Sequence, residues 1–359
     1  MQDTKERRGP EAVMWCFRAL LLLAAAVVLA LSMSTTSQAA EPQTGSARSV
    51  IPLGRAVGIK LFAQGVLVVG LSDITTDQGL ASPARACGLQ EGDVITHIND
   101  AQVSSIEEVQ AVLQDLAGQE MELTVVRDER PQEVTTRAAQ CSADGAYKLG
   151  AWIRDSMAGI GTLTFVDPAT GLFGTLGHGI NDVDTAVLMK LQDGAITPAS
   201  VAGVVKGMNG RPGELRGAFS SSQDLGKLYA NTPSGVFGHL TDPAALTGTP
   251  VPVAQADQVH TGPATILSNV SGTQVEEYSV EILKVYSNSS DTRDLMLRVT
   301  DQRLLAQTGG IVQGMSGSPI LQDGRLVGAV THVLIDHADR GYGILAQRML
   351  DQAEAAQDG

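Results

Sequence analysis

The chain has 359 residues, enough for two domains once a targeting segment is set aside. Its 43% hydrophobic content is that of a globular protein, and 4% aromatics with 39 glycines favour short strands and tight turns over packed helices. A net charge of −14 argues against nucleic acid as a partner, and three cysteines without a CxxC spacing argue against a structural zinc; no metal and no cofactor is expected.

Residues 1–40 carry a targeting pattern. Lys5, Arg7, Arg8 and Arg18 precede an uncharged apolar run from Ala19 to Met33, and Ser37-Gln38-Ala39 offers small residues where a signal peptidase reads. A cleaved signal peptide and an uncleaved anchor both fit, and both send everything after residue 40 across the membrane. Residues 41–49 read as a polar linker. Cys87 and Cys141 could pair outside the cytosol, although neither sits where a small scaffold needs a staple.

From 50 to 137 the texture is mixed α and β. Val57-Gly58-Ile59-Lys60-Leu61 alternates like a strand, and Gly65 to Gly70 reads as a buried one. Ser82 to Gly88 predicts a short helix opened by Pro83. A strand follows Gly92-Asp93. Ile106, Val109, Val112, Leu113 and Leu116 recur at helical spacing, and Met121 to Val126 is a further strand. This order, with Ser82-Pro83-Ala84, Ala86-Cys87-Gly88-Leu89, Gly92-Asp93-Val94-Ile95 and Ile98-Asn99-Asp100, resembles a PDZ domain. The resemblance implies a groove that takes a peptide as an added strand, with Ala56, Val57, Gly58 and Ile59 as its carboxylate-holding loop.

Residues 138–148 read as a polar connector. From 149 to 350 many short β-branched runs alternate with turn signals such as Asp167-Pro168, Asp193-Gly194, Asn209-Gly210 and Asp323-Gly324. That pattern predicts a β-barrel or sandwich, with helix confined to Thr300–Thr308 and the stretch after Gln347. Residues 351–359 read as a tail.

Gly314-Met315-Ser316-Gly317-Ser318-Pro319 is the surrounding a serine nucleophile needs. Gly314 lets the backbone turn so that its amide and that of Ser316 face one point, an oxyanion hole, and Gly317 keeps bulk from the hydroxyl. The same residues also suit a plain turn between strands. Among the histidines, His178 lies between Gly177 and Gly179, where an imidazole can stand open to substrate, and is the candidate base. His239 lacks the second glycine, His332 sits in a strand-like run where it would pack or line a cleft, and His260 and His337 read as surface residues. Residue order permits Asp182, Asp184, Asp224, Asp257, Asp291, Asp294 or Asp301 as the carboxylate that orients the base.

Leu149 to Ser156, Ala158 to Phe165, Leu176-Gly177-His178-Gly179-Ile180 and Thr308 to Ile320 together resemble the stage IV sporulation protein B (SpoIVB) serine peptidases. That resemblance implies a mainly β, chymotrypsin-like double β-barrel preceded by a small α+β PDZ-like domain, with Ser316 as nucleophile, His178 as base and Asp301 as acid, Asp224 being the reserve. It also implies a signalling role. Such peptidases are exported into the space between forespore and mother-cell membranes and cleave themselves. They also cleave a membrane-anchored regulator, releasing an intramembrane protease that activates a late sigma factor. A non-catalytic PDZ/β-barrel scaffold and an envelope quality-control protease are the competing readings. The latter class usually places its PDZ after the barrel, whereas here it comes first.

Overall fold

A computed structural model describes residues 48–219, 223–242, 248–286 and 291–357; the apolar N-terminal run and its targeting signals lie outside the described residues. No helix among the described residues is long and apolar enough to cross a membrane.

Two long antiparallel strands, Ser49–Leu71 and Ala151–Val166, organise the fold, in register from Ile51 opposite Val166 to Leu71 opposite Ala151. Beyond Ala151–Val166 follow Leu172–Thr175, Gly235–Leu240, Gly226–Thr232 and Leu191–Val205. The last of these pairs back onto Ser49–Leu71, from Val57 opposite Pro198 to Ala63 opposite Leu191, and closes a first barrel. Alternation sends Val57 and Ile59 into its core with Leu163, Phe173, Ile196 and Val236. Gly58, between them, faces outward against Phe219, whose ring a Cβ there would meet at 2.4 Å.

The second barrel is closed by Gly262–Ser271, Gln274–Val285, Leu295–Val299, His337–Leu345, Arg325–Leu334 and Pro319–Gln322. Ile266, Tyr278, Leu297, Ile320 and Val330 fill it. Asp323-Gly324 turns the hairpin of Pro319–Gln322 with Arg325–Leu334, both residues at positive φ, 50° and 70°, the conformation that motif serves. The Ala346–Ala355 helix lays Met349, Leu350 and Ala353 against Phe165, Leu172 and Phe237, so a third core seals the seam between the barrels. The chain is therefore mainly β, with the expected double barrel.

The small α+β body uses the far ends of the same two strands. Val66 and Leu67 pair with Val94–Ile98, which is followed by Glu120–Arg127 and Arg130–Arg137. The Ile106–Leu116 helix starts with a capping box: the Ser105 side chain accepts the Glu108 amide, and the Glu108 carboxylate accepts the Ser105 amide. It buries Val109 and Leu113 against the sheet. Fully buried Asp93 is held by two bonds from the Arg127 guanidinium, each 2.6 Å.

Three expectations change. Residues 50–137 do not all belong to the PDZ-like body, because Ser49–Leu71 is a strand of the first barrel as well. Ala56, Val57, Gly58 and Ile59 form no carboxylate loop. They are buried in mid-strand with Gly159–Thr162 on one edge, and Val57, Gly58 and Ile59 have Ile196–Pro198 on the other, so no edge remains for a peptide. The stretch at 138–148 is not a bare connector, since Ala139–Gln140 pairs with Tyr147–Lys148. Cys87 and Cys141 are both free thiols.

Candidate active site

The serine loop sits where the barrels meet. Gly314 and Gly317 take φ of +94° and +96°, a region that side chains resist. A Cβ at Gly317 would lie 2.1 Å from the Thr162 carbonyl oxygen. Thr162, on the Ala151–Val166 strand, clamps this loop. Its hydroxyl donates to the Gly314 carbonyl at 2.7 Å and its amide donates to the Ser316 carbonyl at 3.1 Å. Its own carbonyl accepts the Thr175 hydroxyl at 2.7 Å, which ties the serine loop to the strand that leads into His178.

That strand, Leu172–Thr175, ends in two successive left-handed residues, Leu176 at φ +67° and Gly177 at φ +69°. Positive φ at a leucine is uncommon and concentrates at functional turns. Gly177 lies so near the second barrel that a Cβ would come 2.9 Å from the Thr331 methyl. His178 then stands at the mouth of the interface. Its Nδ1 is 2.8 Å from the Gly179 carbonyl, which can only accept, so Nδ1 carries the proton and neutral Nε2 is left as the acceptor. Burial lowers its pKa from the ordinary histidine value, against a smaller upward push from the Gly179 bond, so the ring is neutral near pH 7.

Ser316 and His178 line one cavity of about 490 Å³. The Ser316 hydroxyl donates to the Thr331 carbonyl at 2.7 Å. Ile59, Met157, Ile160, Ile311, Val312 and Val333 give the cavity apolar walls, and among the described residues no Asp, Glu, Lys or Arg lines it. His332 stands on its rim, its ring centre 5.0 Å from that of His178. Desolvation of the inner face and then the neighbouring His178 hold its pKa below the ordinary value. The sequence placed His332 in a cleft wall or a packed strand but gave no sign that it would meet His178.

Asp301 is elsewhere. It is the N-cap of the Gln302–Thr308 helix, accepting from the amides of Arg303 and Leu304, and its other oxygen pairs with the Arg303 guanidinium at 3.0 Å. The Arg303 hydrogen bonds bring its pKa down to about 2. Asp224 is exposed and pairs with Lys227 at 3.0 Å. The structure thus brings neither the family-implied acid nor its reserve to His178, whose ring is fixed instead by a main-chain carbonyl. Asp291 lines the neighbouring cavity on the far side of His178 and His332, together with Arg348. Among the described residues no group of three or more His, Cys, Asp or Glu is arranged to hold a metal ion.

A family model described as SpoIVB peptidase S55 matches residues 145–350, and a PDZ domain model matches residues 75–127. No curated protein matches the sequence. Among solved structures, the Rv3671c protease of M. tuberculosis in its active form is 17% identical with a TM-score of 0.31, over 56% of this chain and 74% of that one. The HtrA-type protease AlgW with decapeptide is 14% identical with a TM-score of 0.34, over 57% of this chain and 54% of that one. The PDZ domain of an SdrC-like protein from Listeria monocytogenes is 18% identical with a TM-score of 0.21, over 25% of this chain and 87% of that one.

Proposed function

Because the chain belongs to the SpoIVB peptidase S55 family and is therefore a serine peptidase, we propose that it acts as an exported signalling protease of sporulation. In this reading it cleaves itself and a membrane-anchored regulator, which frees an intramembrane protease to activate a late sigma factor. The family match supports the sporulation role, and the apolar N-terminal run supports export.

The observation that carries the chemistry is the shared cavity of Ser316 and His178. Substrate entering it turns the Ser316 hydroxyl from the Thr331 carbonyl toward His178 Nε2. His178 takes the hydroxyl proton as the oxygen attacks the scissile carbonyl. The amides of Gly314 and Ser316 receive the oxyanion, and His178 returns the proton to the leaving amine. Water repeats the sequence on the acyl-enzyme. The Gly179 carbonyl, bonded to Nδ1–H, performs the orienting part usually given to a carboxylate and steadies the imidazolium. The apolar walls favour uncharged side chains beside the scissile bond.

Fluorophosphonate labelling of the exported fragment, followed by peptide mapping, tests the assignment. The adduct is expected on Ser316. Ser316→Ala and His178→Ala should fold normally, resist labelling and lose self-cleavage, while His239→Ala keeps both. An adduct on another serine, or self-cleavage at the wild-type rate in either alanine variant, removes the assignment.

A further inference from the structure

The Ala151–Val166 strand is paired differently along its two edges. One edge is bonded to Ser49–Leu71 over its whole length. On the other, Leu172–Thr175 pairs only with Leu163, Phe165 and Val166, so among the described strands the stretch from Ala151 to Ile160 has no partner on that side. An unpartnered edge presents alternate amides and carbonyls ready to bind an extended chain.

Two places in the molecule share this edge. Its start runs beside the Ile106–Leu116 helix of the PDZ-like body. The Ile106 amide donates to the Asp155 carboxylate at 3.0 Å, and the Tyr147 amide, just before the strand, donates to the Gln114 side chain at 3.4 Å. Trp152 stands there 67% exposed. Farther on, Met157 to Ile160 line the cavity that holds Ser316 and His178. The strand is unbroken between them. The irregularity lies in its partner, which jumps from Phe62 to Leu67 while the strand itself advances only from Ser156 back to Arg154.

We propose that this edge is a single docking site for an extended substrate, in which the polypeptide on the leaving side of the scissile bond pairs antiparallel with residues 160 back to 151 and ends beside the Ile106–Leu116 helix. The direction follows from the chemistry. The leaving amine takes its proton from His178, so the leaving segment departs past the wall formed by the His178 turn and Met157–Ile160. At about 3.3 Å per residue, roughly eight to ten leaving-side residues reach the helix. Main-chain pairing gives affinity with little demand on sequence, and the helix-lined groove supplies the side-chain preference. The PDZ-like body thereby measures substrate length and feeds the serine, and is not a separate tether. This inference rests on the serine-peptidase reading above.

The test starts from a quenched-fluorescent peptide that the full chain cleaves, taken from a library with apolar residues at the scissile bond. It is extended by two to twelve alternating serine and valine residues on either side. Leaving-side extension is expected to raise kcat/KM about tenfold, mainly through KM, as the arm passes roughly eight residues; acyl-side extension of equal length has no such step. N-methylation of alternate amides in the distal arm should abolish the gain. Gln110 precedes Gln114 by one helical turn, so Gln110→Trp, which fills that face, should abolish it too while short peptides are cleaved as before. Fluorescence anisotropy of the long and short peptides on Ser316→Ala reads the docking step without chemistry. If the library holds no cleaved peptide yet a library peptide carrying the long leaving-side arm binds Ser316→Ala tighter than its short form, the edge stands and the catalytic reading fails. If cleavage proceeds with no leaving-side length step, or with an equal step in Gln110→Trp, the docking proposal is overturned.

Discussion

Asp301 shows how one residue serves two arguments that only geometry separates. In the sequence it opens a helical run and precedes the serine, and the family resemblance makes it the acid. In the structure its oxygens are occupied by the amides of Arg303 and Leu304 and by the Arg303 guanidinium. Asp301→Asn divides the two roles, because asparagine caps a helix about as well as aspartate but carries no charge. A capping role predicts unchanged labelling and turnover for Asp301→Asn, and a stability loss of about 1 kcal/mol for Asp301→Ala, read by thermal unfolding. Lost turnover in Asp301→Asn at an unchanged melting temperature would return the carboxylate to the catalytic machinery. Ser316 and His178 were legible for a reason the aspartates lack. Their neighbours must be glycine because the backbone there takes positive φ or approaches another chain segment within van der Waals distance, as at Gly177 and Gly317. A carboxylate leaves no such imprint, since caps, turns and ion pairs all use aspartate equally well.

At the scale of elements, the Ala151–Val166 strand connects barrel, serine loop and histidine turn. Its Thr162 bonds two of them at once. Thr162→Val keeps the shape but leaves the Gly314 carbonyl without the hydroxyl, a loss of about 1–3 kcal/mol in stability where that group stays dry. Because Gly314 supplies one oxyanion amide, kcat should fall about tenfold with KM little changed, which steady-state kinetics on a short peptide can read. A change confined to KM would mean that Thr162 shapes the pocket and does not aim the amide. The individual strands and turns of this region were readable from alternation and from pairs such as Asp323-Gly324. Their pairing was not. Val57-Gly58-Ile59 looks the same whether it borders a peptide groove or lies inside a barrel, because local periodicity carries no record of which distant segment fills each edge. For the same reason Leu149-Gly150-Ala151-Trp152 looks in sequence like the opening of the peptidase domain, although the strand it begins also borders the PDZ-like helix.

For the whole molecule, acid acts through His178 on activity and stability with one sign, and the upward-shifted carboxyls of buried Asp294 and of Asp351 oppose that slope only in the carboxylate range. His178 has a folded pKa below the ordinary 6.5, so the unfolded chain binds its proton first as pH falls, and stability declines from about that value downward. Asp301, at about 2 in the fold against an ordinary 3.8, adds a second decline between those values. Above pH 6.5 neither contributes a slope. Melting temperatures taken from pH 8 to 4 should therefore fall on the acid side, and the acid limb of kcat/KM should lie below 6.5. An acid limb well above 6.5 would show that the base is not this buried imidazole. Phe62 faces Ser156 on the last rung they share before the irregularity. Nearly everything between them departs from and rejoins the first barrel at that one rung, so the recognition body is spliced into the tip of a hairpin. Truncation from the front removes a stave of the barrel along with it. A short turn joining Phe62 to Ser156 leaves that barrel's ring of strands complete, which is the cut an engineered minimal peptidase would use.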